Sequence, residues 1–238
     1  MAQSNPAQTR PTILIVGASR GLGHALAAEF LKKGWDVIGT VRGEARTLLH
    51  SLADEHPGRV EIERLDINEP EQIAALRGRL SGRTLDMLFV NAGTATPDVH
   101  QTVGEVTTEE FARVMITNAL SPMRTISALQ DLVPAEGLIG VMSSGQGSIA
   151  NNETGLREVY RASKSALNQF MRSFAAREPR PPRAMVTMAP GWVKTELGGP
   201  DARLSIGQSV PNLVEVLLAK QGRPGLQYLD YLGRTVPW

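Results

Sequence analysis

Short uninterrupted runs of Ile, Val and Leu recur along the chain, and longer segments with apolar residues at helical spacing separate them. Runs without polar alternation are typical of strands that are buried on both faces of a parallel sheet. They predict seven strands, at residues 12–17, 36–41, 59–65, 85–91, 137–143, 183–189 and 226–231. The helical spacing predicts helices at residues 24–33, 69–80, 107–131, 160–177 and 210–220.

Local signals mark where some of these helices begin. Pro70 lies near the start of the second predicted helix, where proline is tolerated. Thr107 and Glu110 have the spacing of a capping box, in which two side chains satisfy free backbone groups at a helix N-terminus. These signals support helices rather than loops in both segments.

The alternation of strands and helices predicts an α/β fold. It is typical of a single-domain, Rossmann-type doubly wound parallel sheet of about seven strands with helices on both faces. No internal repeat or change of composition marks a second domain, so we predict one domain over residues 12–238. Residues 1–11 are polar and contain two prolines, which predicts a disordered leader. The proline-rich segment 178–182 predicts a loop.

Composition excludes several kinds of chemistry. The chain has 238 residues, 25 Lys and Arg, 24 Asp and Glu, four His and no Cys. Without Cys there is no disulfide framework, thiolate-ligated zinc, iron–sulfur cluster or cysteine nucleophile. A net charge of +1 gives no reason to expect nucleic acid or a membrane surface as partner, and no apolar run approaches the roughly 20 residues of a membrane span. The His residues lack ligand spacing, so we expect no metal site. The absence of Cys fits a reducing cytosol, so we expect a cytoplasmic protein.

A glycine-rich turn follows the first predicted strand. The sequence reads Gly17-Ala18-Ser19-Arg20-Gly21-Leu22-Gly23, and a helix follows at once. Glycines there permit a tight turn and let backbone N–H groups approach a pyrophosphate at the helix N-terminus. A strand before the turn and a helix after it favour a dinucleotide site over a purely structural turn.

Further motifs stand at the ends of later elements and give the resemblance. Asn91-Ala92-Gly93 ends the fourth strand, Asn118 lies in the next helix, and Ser143-Ser144 ends the fifth strand. Tyr160-x-x-x-Lys164 and Pro190-Gly191-Trp192-Val193-Lys194-Thr195 follow. The sequence resembles the short-chain dehydrogenase/reductase family, over nearly its whole length and in the family's order. Residues 147–152 and 235–238 also resemble the sniffer/C-factor-like carbonyl reductase branch.

The Tyr160–Lys164 pair is suited to acid–base chemistry. Residues four apart share one face of a helix, although a buried Tyr with a Lys one turn later is also a common structural pair. Tyrosine has a pKa near 10, and a cation about 5 Å away at an effective dielectric near 20 lowers it by about two units. We therefore expect Lys164 to bring Tyr160 close to the range in which it works as an acid.

The resemblance implies a role for each residue of this set. Tyr160 would be the general acid during reduction, and Lys164 would lower its pKa and hold ribose hydroxyls of the cofactor. Ser144 would hydrogen-bond the substrate carbonyl, and Asn118 would help to hold a proton-relay water. Ser143 competes with Ser144 for the serine role. Because the 16 positions from Ser144 to Tyr160 exceed the commonest family spacing, Ser148 also stays a candidate.

The end of the second predicted strand indicates which cofactor is bound. A site for NAD(H) would place an acid there to bind the ribose 2′-hydroxyl, whereas this strand ends in Arg42 and its only acid, Asp36, lies at the far end. Arg42 is placed to pair with a 2′-phosphate, and Arg20 in the glycine turn is a second candidate cation. We therefore predict NADP(H) rather than NAD(H).

The resemblance extends the cofactor site to other segments. Asp66 and Ile67 would contact adenine, although Asp66 is equally suited to capping the turn that follows, and residues 190–195 would bracket the nicotinamide. Trp192 would either shape the substrate pocket or pack beneath it. The predicted cofactor-binding residues are Gly17, Ser19, Arg20, Gly21, Leu22, Gly23, Arg42, Asp66, Ile67, Asn91, Ala92, Gly93, Tyr160, Lys164, Pro190, Gly191, Val193 and Thr195.

These observations predict an NADPH-dependent oxidoreductase that transfers hydride between nicotinamide and a carbonyl or alcohol substrate. The alternative is a C-factor-like dinucleotide-binding signalling or regulatory protein with vestigial catalysis. Substrate would be contacted by the segments 94–106, 145–159 and 196–209, whose residues do not indicate its identity. Relatives in the family pair through the helices at 107–131 and 160–177, so a homodimer and a monomer both remain open.

Overall fold

The computed structural model describes residues 10–178 and 183–238. Seven strands form one parallel sheet in the order β3-β2-β1-β4-β5-β6-β7. The strands are β1 Thr12–Val16, β2 Asp36–Val41, β3 Val60–Arg64, β4 Met87–Val90, β5 Leu138–Met142, β6 Ala184–Ala189 and β7 Gly225–Asp230. The predicted fold class is confirmed, and each predicted strand agrees with an observed one to within a few residues.

The helices are α1 Gly21–Lys32, α2 Leu48–Glu55, α3 Pro70–Arg79, α4 Thr108–Met115, α5 Ser121–Leu129, α6 Glu158–Arg177 and α7 Ile206–Lys220. A π-helical turn, Ile116–Leu120, joins α4 to α5, and 3₁₀ turns occupy Gln130–Leu132 and Gly145–Gly147. None of the helices in the described ranges is long and apolar enough to cross a membrane. The predicted leader falls largely outside the described residues, as do residues 179–182 of the predicted loop.

Both faces of the sheet are covered by helices. One apolar core packs α1, α2 and α7 against one face, and a second packs α3, α5 and α6 against the other. The central strands β1, β4 and β5 are accordingly buried almost throughout, which explains their uninterrupted apolar sequence. Strand β3 at the edge has no fully buried residue and is half-buried or exposed throughout.

Helix boundaries differ from the sequence prediction for local reasons. Helix α1 begins three residues early because Gly21 and Gly23 are helical despite their low propensity. Helix α2 was not predicted; Thr47 and His50 form a capping box there, with His50 in the position where the usual signal is Glu or Gln. Helix α7 begins at Ile206 behind a Ser205–Gln208 capping box, and contains Pro211 in its second turn.

The predicted helix at 107–131 is interrupted. Thr107 accepts a hydrogen bond from the Glu110 backbone N–H at 3.2 Å, which is half of the predicted capping box. The Glu110 carboxylate pairs with Arg113 instead of returning to the Thr107 backbone. The π-helical turn that begins at Ile116 inserts an extra residue into the helical hydrogen-bond ladder. Such turns frequently occur at functional sites.

The sheet order sets the position of the functional site. The direction of chain progression reverses between β1 and β4, which are neighbours in the sheet. In open parallel sheets, ligands bind outside the carboxyl ends of the strands at this point. The glycine turn after β1 and the Asn91-Ala92-Gly93 segment after β4 meet there.

Candidate active site

A cleft of about 810 Å³ lies along the carboxyl ends of the strands. Most of the predicted site residues line it, and these are Gly17, Ser19, Arg20, Gly21, Leu22, Arg42, Asp66, Ile67, Asn91, Ala92, Gly93, Tyr160, Lys164, Pro190 and Thr195. The remaining predicted residues, which do not form part of this lining, are Gly23, Asn118, Ser144, Gly191 and Val193. Its volume is in the range of cofactor and small-molecule sites.

Close backbone approach explains two glycines of the turn. Gly17 has φ +88°, and a Cβ there would lie 2.9 Å from the Cβ of Ala92. A Cβ on Gly23 would lie 2.0 Å from the Gly17 carbonyl oxygen and 2.7 Å from Asn91 Nδ2. Asn91 Nδ2 donates to that carbonyl at 2.8 Å, and the Gly17 N–H donates to Thr40 Oγ1 at 2.9 Å. The turn is therefore held between the ends of β2 and β4.

The N-terminus of α1 is open to an anion. Arg20 occupies the capping position in an extended conformation, and its side chain makes no capping hydrogen bond. The first turn of the helix contains no acidic residue. Free N–H groups and the positive end of the helix dipole favour a phosphate at this place.

The two predicted phosphate-binding cations differ in their surroundings. Arg42 is exposed, lines the cleft and forms no ion pair with any residue of the described ranges. Arg20 Nε lies 2.9 Å from Glu196 Oε2, and both of these side chains are more than half exposed. Arg20 is therefore partly compensated by Glu196, whereas no residue of the described ranges compensates the charge of Arg42.

Asp66 has the features of both interpretations made from the sequence. It lines the cleft beside Ile67, which is 5% exposed. Asp66 Oδ1 also accepts a hydrogen bond from the Asn68 N–H at 2.9 Å and thereby caps the following turn. The capping bond fixes the carboxylate without removing it from the cleft wall.

Lys164 and Tyr160 are both buried at the inner end of the cleft. Lys164 Nζ donates to the Met142 carbonyl at 2.9 Å and lies 5.9 Å from the centre of the Tyr160 ring. Burial lowers the pKa of Lys164 to about 8. Burial also raises the pKa of Tyr160, against the opposing effects of a hydrogen bond with Ser144 and the charge of Arg157.

The pKa of Tyr160 in this protein without cofactor is therefore raised, in the direction opposite to the one expected from the Lys164 charge. Transfer of the phenolate out of water outweighs the opposing effects of Ser144 and Arg157. The consequence is a phenol that stays protonated at neutral pH, which is the form a proton donor requires.

Asn118 lies at the middle of the π-helical turn and is fully buried. Its Nδ2 donates to the Thr94 carbonyl at 2.7 Å and to Ser163 Oγ at 2.9 Å, and its Oδ1 accepts from the Thr94 N–H at 2.8 Å. A Cβ on Gly93 would lie 3.2 Å from Asn118 Oδ1 and 3.3 Å from Lys164 Nζ. The absence of a side chain at Gly93 thus permits the close approach of both polar groups to this segment.

The three candidate serines have different partners. Ser143 lines the cleft, but it is buried and its Oγ donates to Asn168 Oδ1 at 2.7 Å. Ser148 is buried and accepts from the Asn151 N–H at 3.2 Å. Ser144 accepts from the Gln146 N–H at 3.1 Å, and its side chain lowers the pKa of Tyr160. Of the three, Ser144 is the one coupled to the candidate acid.

The segment after β6 is shaped around Gly191. It has φ +81°, and a Cβ there would lie 2.5 Å from Leu204 Cδ1. Val193 is buried and pairs with Leu204 through a short bridge. Trp192 does not line the cleft; it is 47% exposed and its Nε1 donates to the Gly198 carbonyl at 2.7 Å. Trp192 therefore stabilises the loop that carries Thr195 and Glu196.

Comparisons with known proteins agree with this geometry. Residues 11–203 match the family model of short chain dehydrogenases. The chain belongs to this family. The family assignment makes it an oxidoreductase and confirms the family predicted from the motifs.

Three similar proteins illustrate the spread of the family around this chain. An NADP-bound crystal structure from Burkholderia multivorans is 70% identical, with a TM-score of 0.95, over 97% of this chain and all of the other. The carbonyl reductase Sniffer of Drosophila melanogaster is 27% identical, with a TM-score of 0.83, over 97% of this chain and all of the other. C-signal of Myxococcus xanthus is 35% identical over 157 residues, 65% of this chain and 93% of that protein. These similarities agree with the predicted branch.

Several side chains of this short-chain dehydrogenase site were not predicted from the sequence. The Tyr228 hydroxyl donates to the Ser144 carbonyl, and Asn168 Nδ2 donates to the Gly147 carbonyl at 3.2 Å. Thr40, Arg113 and Arg157 line the cleft. None of these five belongs to a motif with characteristic spacing, since each is brought to the site from its own element by the fold.

Proposed function

We propose that the protein is an NADPH-dependent reductase of carbonyl compounds in which Tyr160 donates the proton. The observation that carries this proposal is the buried Tyr160–Lys164 pair at the inner end of a cleft whose outer wall is a glycine turn and an uncapped helix N-terminus. A dinucleotide fits the residues of this cleft, because Gly17 and Gly23 allow the tight turn after β1 that a side chain at either position would displace. The binding of NADP by the Burkholderia multivorans protein supports the same cofactor.

A bound reduced nicotinamide would supply the hydride. The chain's own residues then deal with the carbonyl oxygen, which becomes an alkoxide as the carbon is reduced. Tyr160 transfers its phenolic proton to that oxygen, and the resulting phenolate lies close enough to Lys164 Nζ to be stabilised by its ammonium form. Ser144, which acts on the pKa of Tyr160, orients the same oxygen, and Asn118 helps to hold the water that returns a proton to Tyr160.

Turnover with a substrate panel tests the proposed function. The purified protein with NADPH and a panel of aldehydes, ketones and quinones should consume the reduced nicotinamide, followed by its absorbance. The carbonyl reductase activity named for Sniffer supports the choice of panel. Tight binding of NADPH without turnover on any of these compounds would contradict the proposal and favour a regulatory role, which similarity to C-signal supports.

We predict that Arg42 selects NADPH over NADH. In Arg42→Asp, the KM for NADPH should rise about 10- to 100-fold, because one charge-assisted contact with the 2′-phosphate becomes a repulsion. The KM for NADH should change far less. Steady-state kinetics with both cofactors measures the difference.

Arg46→Asp provides the matched control for this charge reversal. Arg46 lies in the same loop, pairs with Asp54 and does not line the cleft. It should leave both KM values within about twofold, because an exposed charge outside the site is screened by solvent. Equal changes for NADPH and NADH in Arg42→Asp would remove Arg42 from this role.

A further inference from the structure

Arg157 has an unusual backbone conformation beside the candidate acid. It immediately precedes α6, three positions before Tyr160, and has φ +60°. Among the residues described, it is the one non-glycine residue with a positive φ. The left-handed region is disfavoured for a residue with a long side chain and is found where surrounding contacts enforce it.

Backbone contacts on both sides hold Arg157 in this conformation. Its N–H donates to the Val99 carbonyl at 3.0 Å, and its carbonyl accepts from the Arg161 N–H at 2.9 Å. Val99 belongs to the loop after β4 and also lines the cleft. Arg157 is therefore fixed between that loop and the helix that carries Tyr160, at the Tyr160 end of the cleft and far along the chain from the glycine turn.

The Arg157 side chain is a cation with no local counter-charge. It is partly buried and lines the cleft. It forms no ion pair or side-chain hydrogen bond with any residue in ranges 10–178 and 183–238. Its charge acts on Tyr160, since it lowers the pKa of that phenol against the larger effect of burial. A guanidinium placed in this way is available to a ligand.

The charged groups nearest in sequence and along the cleft are already engaged. Arg113 lines the cleft but pairs with Glu110 at 2.7 Å and donates to Thr94 Oγ1 at 2.7 Å. The Glu158 carboxylate accepts from the Val103 N–H, and Asp98 Oδ1 accepts from the His100 N–H, each at 2.8 Å. Neither carboxylate forms an ion pair with Arg157, so its charge remains uncompensated at this end of the cleft.

We propose that Arg157 binds a carboxylate of the substrate, so that the preferred carbonyl compounds are anionic. The inference rests on the proposed reductase function and names its substrate class. The planar guanidinium matches a carboxylate with two parallel hydrogen bonds, and partial burial strengthens them relative to a fully solvated contact. Arg157 is in this view a specificity residue, and it does not take part in the proton transfer.

The test compares two aldehydes that differ in one charge, 4-formylbenzoate and its methyl ester, with NADPH as cofactor. In Arg157→Asn the ratio of kcat/KM for the carboxylate to that for the ester should fall about 10- to 100-fold, the value of a hydrogen bond to a charged group. Any effect of the lost charge on Tyr160 is shared by both aldehydes, so it cancels in this ratio. Asn tolerates the left-handed conformation better than other non-glycine residues, so the variant should fold.

Two more variants distinguish the effect of the guanidinium at position 157 from the effect of a positive charge as such or of a charge lost elsewhere in α6. Arg157→Lys should keep part of the preference, because it retains the cation and loses the planar pairing. Arg177→Asn removes the same charge at the far end of α6, outside the cleft, and should leave the ratio unchanged. An unchanged ratio in Arg157→Asn would overturn the proposal. An equal loss for both aldehydes would do so as well, since it would indicate that Arg157 acts only through Tyr160.

A binding measurement keeps the inference distinct from the proposed function. Benzoate and benzamide are titrated into the complex with NADP⁺ by calorimetry, which needs no turnover. The wild-type protein should bind benzoate at least about tenfold more tightly, and Arg157→Asn should lose that preference. If no aldehyde is reduced but the preference is present and depends on Arg157, the reductase function fails and the anion site stands. If the wild-type protein shows no preference, the anion site is refuted.

Discussion

Removal of one hydroxyl group, in Tyr160→Phe, should reduce kcat for carbonyl reduction about 10²- to 10⁴-fold, the range of a lost general acid. The alkoxide formed on reduction would lose the hydroxyl group proposed as its proton donor. NADPH should still bind with its dissociation constant within about threefold, because the glycine turn and Arg42 are untouched. Stopped-flow reduction of an aldehyde under single-turnover conditions, together with NADPH titration, measures both quantities.

Tyr231→Phe is the matched control for this change. Tyr231 is partly buried behind Gly191 and does not line the cleft. Loss of its hydroxyl should leave kcat within about twofold. Undiminished turnover in Tyr160→Phe would exclude Tyr160 as the proton donor. A loss of NADPH binding as large as the loss of kcat would instead assign it to holding the cofactor.

A second large effect is expected from one added methyl group, in Gly23→Ala. The new Cβ would lie 2.0 Å from the Gly17 carbonyl oxygen and 2.7 Å from Asn91 Nδ2, so the glycine turn must move away from the end of β4. NADPH binding should fall more than about 100-fold, and the free energy of unfolding should decrease by about 3 kcal/mol, the upper range for an overpacked site. Fluorescence titration and urea unfolding measure the two effects.

Gly78→Ala controls for the substitution itself. Gly78 is also helical, in α3, but it is exposed and a Cβ there meets nothing within 4 Å. The higher helix propensity of Ala should stabilise this variant by about 0.5–1 kcal/mol and leave NADPH binding unchanged. If Gly23→Ala bound NADPH as the wild-type protein does, the close approach of α1 to the turn would not be needed for the site.

An element could be predicted from the sequence when the residues that determine it lie close together along the chain. The strands could be predicted because burial on both faces leaves an apolar run in the sequence, as in β4 and β5. Helix α2 could not, since its capping box uses His50 and its buried side comprises only Leu49 and Leu52. The π-helical turn around Asn118 was also missed, because nothing in that stretch distinguishes an extra residue in the ladder from a regular helix.

The same distinction applies to the site. Glycines, the Tyr160–Lys164 pair and the Asn91-Ala92-Gly93 segment are contiguous or one helical turn apart, so their spacing is visible in the chain. Tyr228, 84 residues from Ser144, has no such signal. The ion pair of Arg20 with Glu196 is equally invisible in the sequence, because it joins segments 176 positions apart across the cleft.

The sequence by itself determined the parallel sheet, the glycine turn, and the pairing of Tyr160 with Lys164, since each depends on spacing along one element. The tertiary structure decided the directions in which the two pKa values shift. Burial raises the pKa of Tyr160 and lowers that of Lys164 to about 8, whereas spacing alone predicts a lowered tyrosine pKa. The tertiary structure also decided that Arg113 forms an ion pair and that Arg157, among the described residues, does not. The free energy of a charged group depends on its exposure to solvent and on its charged partners, and the fold sets both.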